Sequence, residues 1–440
     1  MGRVSRWMFA LALVSSAHAQ DLSAILARIE KLESENRELK QQVKALQDRL
    51  DGKKAEDADT EAAAVPVEQQ VEIQQRRTDD LAQTKVEAAQ KFPLRIAGMA
   101  LFNAYLNSKQ NGGAEYPVTA SAPGAGNAGA TVRQTILGLE YRGPTAVWGG
   151  QVHGSVYMDF FGGTTNQAAR LRTGDIEIDW KTRSVMAGVE KPIFNPREPS
   201  SLAQVGISPM TGTGNLWLWL PQVRVEQDLA FGHSSGVRAQ MGVVGTREVG
   251  PYVGSTFTAP LDPVRPALEG RFEFYHKLDD DRRIEIAPGF HMSTTHANGV
   301  SIPSQIFSMD WFMNPVRRVE FLGAFYSGQN VAPLGNGYEQ GFYGYGRYLK
   351  PVPSVGGWAQ VTVHTLPRLD LHLFSGQQDD NNGDLALGRI GKNWMYGGNV
   401  YYRIAPNVLV GVEVTQLRTW YIGQGVRINN HYDLAWAYLF

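Results

Sequence analysis

The ionisable residues of this 440-residue chain offer few ways to make or break a bond. Its nine histidines are scattered, and none forms a pair at metal-binding spacing on a helix. Cysteine is absent, which removes thiolate ligands, thiol nucleophiles and disulfides together. Ser155, His153 and Asp159 have the residue types of a hydrolytic triad, but they lie along one strand and point the same way, without the geometry by which one group orients the next. Asp380-x-Asn382-x-Asp384 with Gly383 opens like a calcium loop, yet no bidentate Glu follows at the required spacing, so it reads as a polar loop tip. No metal, cofactor, catalytic residue or enzymatic activity is expected.

What remains is electrostatics. Strand parity places Lys181, Arg224, Arg238, Arg271 and Arg403 on an inward face, together with Asp175, Glu177, Asp179, Glu226, Asp228, Glu269, Glu273 and Glu285. Carboxylates outnumber bases there, and many of these charges can neutralise one another across a wall. A positive ladder opposite a negative patch would instead orient dipolar or anionic solutes, because fields are strongest in a narrow, poorly screened space. Residues 193–221 hold Arg197, Glu198 and the apolar run Leu216-Trp217-Leu218-Trp219-Leu220. This segment is expected either to fold inward as a constriction or to pack against a neighbouring subunit.

The elements that must position these charges are strands. From Pro93 onward, period-two segments recur between Gly, Pro, Asn and Asp. Val152, Val156 and Met158 oppose His153, Ser155 and Asp159; Ile176, Ile178 and Trp180 oppose Asp175, Glu177 and Asp179; Phe272 and Phe274 oppose Arg271 and Glu273. In a soluble sandwich the apolar faces would form the core, and about sixteen such faces exceed what one sandwich can bury. The segments number sixteen, at approximately 94–107, 131–142, 146–161, 170–181, 184–192, 222–230, 236–247, 267–277, 283–293, 304–313, 318–328, 356–366, 369–376, 392–404, 408–418 and 428–440. Short turns alternate with long loops at 107–130, 193–221, 249–266, 329–356 and 377–391. An even strand count, an apolar outside and this loop asymmetry predict an all-β, antiparallel transmembrane barrel over 93–440, with an aqueous channel inside. The segment 342–348 is the place where one hairpin could be miscounted. No apolar run reaches the ~20 residues of a membrane-spanning helix. The last strand carries Tyr432, Leu434, Trp436, Tyr438 and Phe440 on one face, a surface suited to lipid.

Upstream, Arg3 and Arg6 precede a short apolar stretch and Ala17-His18-Ala19, the pattern of a signal peptide over 1–19. Residues 20–50 carry an unbroken three-four seam, Leu22, Ile25, Ile29, Leu32, Asn36, Leu39, Val43, Leu46 and Leu50, which predicts a parallel coiled coil. The flanking pairs Arg28 with Glu33 and Glu35 with Lys40 are complementary in register, and Asn36 is the polar residue that fixes it. The heptads do not choose between two and three strands. Residues 51–92 are too polar to bury a core and read as a linker. The formal net charge of −1 gives no nucleic-acid signal.

The Leu22 to Leu50 heptads, Pro221-Gln222-Val223-Arg224 after a long third loop, and the aromatic strand ending at Phe440 together resemble the DcaP-like trimeric porins of Gram-negative outer membranes. The phosphate-selective OprP-type porins are a more distant likeness. The resemblance implies a homotrimer held through barrel and coiled coil, with the coil in the periplasm, and passive uptake of small hydrophilic, often anionic, solutes. It also implies that Tyr432, Trp436, Tyr438 and Phe440 are read by the barrel-insertion machinery. The alternative is a structural envelope protein whose barrel is a lipid-embedded anchor and whose coil tethers to peptidoglycan or a periplasmic partner.

Overall fold

A computed structural model describes residues 94–440 apart from 123, 164–166, 248–265, 339 and 346. The expected signal peptide, the coiled coil with Asn36 and the polar linker lie outside the described residues. The strands are β1 (Leu94–Asn107), β2 (Asn127–Thr131), β3 (Ile136–Thr145), β4 (Gln151–Asp159), β5 (Arg170–Trp180), β6 (Arg183–Glu190), β7 (Leu220–Phe231), β8 (Ser235–Gly245), β9 (Pro266–Lys277) and β10 (Arg283–Ala297). They continue with β11 (Val300–Val316), β12 (Val319–Gln329), β13 (Phe342–Tyr345), β14 (Tyr348–Pro351), β15 (Pro353–Leu366), β16 (Leu369–Asp380), β17 (Ile390–Ala405), β18 (Val408–Tyr421) and β19 (Gly425–Leu439).

β2 and β3 pair in succession with the two ends of β1, so they are halves of one stave interrupted at residues 132–135. β13 and β14 pair only with each other, as a hairpin inside a loop. Nineteen strands less one for the split stave and two for the hairpin leave sixteen, all antiparallel, and β19 closes the ring against β1 from Met99↔Leu439 to Asn107↔His431. Gly98 and Phe440 complete the closure by exchanging backbone hydrogen bonds of 2.9 and 3.1 Å. The segment 342–351 does form a hairpin, but it adds no stave.

Burial follows the alternation. On β19, Tyr432, Leu434, Trp436 and Tyr438 are each about half exposed, whereas His431, Asp433, Ala435 and Ala437 are buried. The wall is therefore inverted relative to a water-soluble protein, with its apolar side chains outermost. Each stave is hydrogen-bonded to both neighbours around the closed ring, which is what lets strands cross hydrocarbon. Among the described residues no helix is long and apolar enough to cross a membrane.

Seven turns share one end of the barrel with the start of β1 and the end of β19. The opposite end has the long connections, but two of its eight are tight. β10 and β11, at 15 and 17 residues, continue past the expected 283–293 and 304–313 to a two-residue turn, Asn298-Gly299. Both turn residues have positive φ, 52° and 72°, the requirement of a type I′ turn that matches strand twist. β18 and β19 likewise meet through residues 422–424.

The apolar core lies inside the ring, which differs from a simple water-filled barrel. Ile193, Phe194, Leu216 and Leu220 pack with wall residues Val244, Ala267, Ile306 and Tyr326 and with Leu334 of the 330–341 loop. A second cluster joins Ala120 and Met210 to Ala324, Trp358, Phe374, Met395 and Leu417. Infolded loops supply one side of each cluster.

Candidate functional site: the infolded loop and the charged lumen

Residues 191–219, between β6 and β7, touch the inner wall on nearly every side. The Ile193 N–H donates to Glu269 on β9 (2.7 Å), and Ser308 on β11 donates to the Phe194 carbonyl (2.7 Å). The Ser200 N–H donates to Gln360 on β15 (2.7 Å), while the Ser201 hydroxyl donates to Glu413 on β18 (2.7 Å). Asn103 on β1 donates to the Leu202 carbonyl (2.8 Å), and Arg172 on β5 donates to that of Val205 (2.7 Å). A segment bonded to staves on opposite sides of a ring lies across the lumen. The chain then crosses back: Asn393 on β17 donates to the Gly212 carbonyl (2.8 Å), and Gly214, at φ 106°, lies against the wall. A Cβ on Gly214 would stand 2.4 Å from the Gly357 carbonyl oxygen, so only glycine lets the two backbones meet.

The first loop, 108–126, folds in beside it. The Ala120 N–H donates to Thr419 (2.8 Å), and Asn393 donates to the Val118 carbonyl (2.8 Å). Tyr116 in this loop donates to Glu413 (3.3 Å); burial, and then the nearby Glu413 carboxylate, push its phenol well above the ordinary tyrosine value, so it remains a donor.

Two charge clusters flank the crossing. On β7 to β11, Arg271 bonds both oxygens of Asp310 (2.7 and 2.8 Å) and Glu273 (2.7 Å). Arg197 reaches in from the loop to Asp310, Glu273 (3.0 Å) and Glu285 (2.8 Å). Arg238 pairs with Glu226 (3.2 Å) and Glu273 (2.7 Å), and Arg283 with Glu285 (2.6 Å). Four arginines thus meet four carboxylates. Arg271, expected to line the channel, is instead buried, because its guanidinium is consumed by Asp310 and Glu273 of the wall, two of the carboxylates that also hold the loop's Arg197.

A second group of charges lies on the β3 to β7 side. Arg170 and Arg172 share one carboxylate, Asp159, at 2.6 and 2.9 Å, and Arg133 pairs with Glu115 at 3.3 Å. Aromatic rings back them: Phe161 lies 3.9 Å from the Arg133 guanidinium, and Trp219 lies 4.4 Å from that of Arg172. Lys191 pairs with Glu198 (2.7 Å), which also accepts from Ser208 (2.7 Å). Arg224 has no carboxylate partner among the described residues, and its buried Nε is unpaired. A cavity of about 520 Å³ borders this side, lined in part by Tyr157, Arg172, Glu190, Lys191, Glu198 and Trp219.

Arg133, Arg170 and Arg172 escaped parity for a local reason. The β4–β5 register slips between Tyr157↔Thr173 and Met158↔Leu171, so a bulge leaves Arg172 without an opposite residue. Beyond it Leu171 faces out, more than half exposed, and both arginines face in. The signal was present: Arg170 and Arg172 have parity opposite to Asp175, Glu177 and Asp179 in one strand, and only a bulge keeps both sets out of lipid. Arg133 lies in the interruption between β2 and β3, where no ladder defines parity.

The other expected lining residues are distributed unevenly. Asp175 accepts from Ser155, Glu177 accepts from Ser184 (2.6 Å), and Asp179 lies 3.5 Å from His153. Ser155, His153 and Asp159 are therefore engaged separately. Glu226 also accepts from Gln240 (2.7 Å). Lys181 is not on the wall: β5 ends at Trp180, and Lys181-Thr182 form the exposed turn to β6. Arg403 sits at the turn end of β17, donating to the Pro406 carbonyl (2.8 Å). In the 380–384 segment, Asp380 accepts from Gln340 (2.6 Å) and Gln378 (3.0 Å), and Asn381 caps the short turn through Gly383 N–H (3.2 Å).

No protein-family model and no curated protein matches the sequence. Solved structures do match in fold. The outer membrane channel DcaP of Acinetobacter baumannii superposes with a TM-score of 0.67 at 16% identity, covering 79% of this chain and 97% of that one. An anion-selective porin from Comamonas acidovorans gives 0.55 at 11% identity (79% and 99% covered), and OmpF of Salmonella typhi gives 0.52 at 11% identity (79% and 97%). The fold of this chain is therefore that of the outer-membrane porins, DcaP among those it resembles.

Proposed function

We propose that this chain is an outer-membrane porin, a passive, water-filled channel for small hydrophilic solutes with a preference for anions. The observation that carries the preference is the arginine cluster beside the infolded loop. Asp159 carries one negative charge against Arg170 and Arg172, while Arg224 makes no ion pair among the described residues and feels only the nearby Glu190, so the local excess of positive charge beside the crossing is the arginine pair on Asp159. The opposite cluster, four arginines against four carboxylates, is balanced. In a narrow, water-poor passage a uniform excess of one or two charges outweighs balanced pairs, because field lines are confined by the low-dielectric wall. Asp175, Glu177 and Asp179 lie farther along β5, toward its turn. The anion-selective porin of similar fold supports the same reading.

In this reading the chain does no covalent chemistry. It assembles as a homotrimer through the barrel and the 20–50 coiled coil, with Asn36 setting the register and the coil in the periplasm, within reach of peptidoglycan or a periplasmic protein. Tyr432, Trp436, Tyr438 and Phe440 present the insertion machinery with its terminal signal.

Reconstitution in planar bilayers tests the proposal. Stepwise, ohmic channels with a reversal potential favouring the anion across a KCl gradient are expected, and Arg172→Gln with Arg224→Gln moves that potential toward the cation. A barrel whose heat-modifiable migration proves it folded, yet which conducts nothing, would refute the channel; an unmoved reversal potential would refute the role of the arginines.

A further inference from the structure

One outward-facing patch departs from the apolar band. Ser375 on β16, Trp394 and Tyr396 on β17, Gln416 and Arg418 on β18 and Asn430 on β19 are neighbours across the ladder. They are joined by hydrogen bonds: Tyr396 donates to Gln416 (2.5 Å), Gln416 to Asn430 (2.9 Å) and Trp394 to Ser375 (2.9 Å). The Arg418 Nε donates to Gln416 (2.8 Å), and its guanidinium lies 5.7 Å from the Trp394 ring centroid. No carboxylate pairs with Arg418 among the described residues.

Its height decides what can reach it. Arg418 lies ten residues from Val408 at the turn end of β18. With a rise of about 3.3 Å per residue and a tilt of about 45°, that is ~23 Å up a band ~25 Å tall. An arginine facing lipid costs ~2–4 kcal/mol at the midplane and ~0–1 near the interface, so this position is tolerable where anionic headgroups begin. Beside it runs a groove of about 430 Å³ between Trp311 and Trp394, floored by small residues that include Gly357, Ala359 and Gly376.

We propose that this patch binds a phosphorylated glycolipid of the outer leaflet, its phosphate on Arg418 and Tyr396 and one acyl chain in the Trp311–Trp394 groove. The inference rests on the chain being an outer-membrane barrel. Charge argues for lipid over a second copy of the chain: among the described outward-facing wall positions the one carboxylate is Asp379, which already stands 3.7 Å from Lys392. The described wall of a copy docking here would bring no free anion for Arg418, whereas a phosphate satisfies it with charge-assisted hydrogen bonds.

The test is native mass spectrometry of the full-length, detergent-purified protein with bisphosphorylated lipid A and its dephosphorylated counterpart. The wild type should retain the phosphorylated lipid preferentially, and Arg418→Gln should weaken that retention about tenfold, the worth of one charge-assisted contact. Arg418→Lys should recover part of it. Arg183→Gln, at an exposed arginine near the opposite end of the wall, should bind as the wild type does. Equal retention of both lipids by the wild type, or unchanged retention by Arg418→Gln, overturns the proposal. So does a change in oligomeric mass without a change in lipid binding, which would assign the face to a second copy. Arg418→Met carries the same expectation if the glutamine variant fails to fold. Arg418 faces away from the lumen, so conductance of these variants stays at wild type, and a negative lipid result leaves the channel reading standing.

Discussion

Arg197→Ala asks most of the proposed constriction. Arg197 is, among the described residues, the one loop side chain that touches three wall carboxylates, Asp310, Glu273 and Glu285, and the first two are almost wholly buried. Removing one partner of a buried ion pair costs about 3–5 kcal/mol when it leaves an uncompensated charge, and because Arg271, Arg238 and Arg283 still pair with these carboxylates the lower end, about 3 kcal/mol, applies. At about 1.4 kcal/mol per factor of ten, the loop-undocked population rises up to roughly a hundredfold. The local balance also changes, from four arginines against four carboxylates to three against four. Single-channel recording should therefore show a larger and noisier conductance, with the reversal potential displaced toward the cation. Arg197→Lys keeps the charge but not the forked geometry and should fall between the two. A folded Arg197→Ala channel with wild-type conductance, noise and selectivity would refute the idea that this ion-pair cluster holds the constriction closed.

Three further outcomes are expected. Gly214→Val places a branched side chain at φ 106°, with its Cβ 2.4 Å from the Gly357 carbonyl oxygen, so the return crossing should undock; limited proteolysis should then cut within 191–219, and continued resistance would contradict this. Deleting Phe440 removes the two backbone bonds to Gly98 and the terminal aromatic, and membrane fractionation should find several-fold less barrel in the outer membrane; equal amounts would argue against a signal role. Deleting residues 21–50 should lower the temperature at which the oligomer dissociates in SDS, and an unaltered oligomer would leave the heptads without a role in assembly.

The wall was legible because it obeys one local rule. Where a strand runs without interruption, as β19 does, side chains alternate between lipid and lumen, and Tyr432, Trp436 and Tyr438 declare their face from sequence alone. The strand count survived even the 342–351 hairpin, since those residues are too few to span. Parity failed where the ladder is broken. At the β5 bulge one extra residue turned Arg170 and Arg172 inward, and at 132–135 no ladder exists to orient Arg133.

The sequence by itself determined the barrel, its closure from β19 to β1, its apolar exterior and a charged interior, because each is a property of period-two patterning summed over sixteen strands. Only the tertiary structure decided which charges remain available. Arg271 and Arg197 come from segments more than seventy residues apart and meet on Asp310, so neither shows locally that it will be consumed in a neutral, buried cluster. Arg172 and Arg170 share the single carboxylate Asp159 for the same reason: the path of loop 191–219 across the lumen, set by Gly214, by its apolar run and by its wall partners, determines which guanidinium groups meet a full complement of carboxylates and which do not.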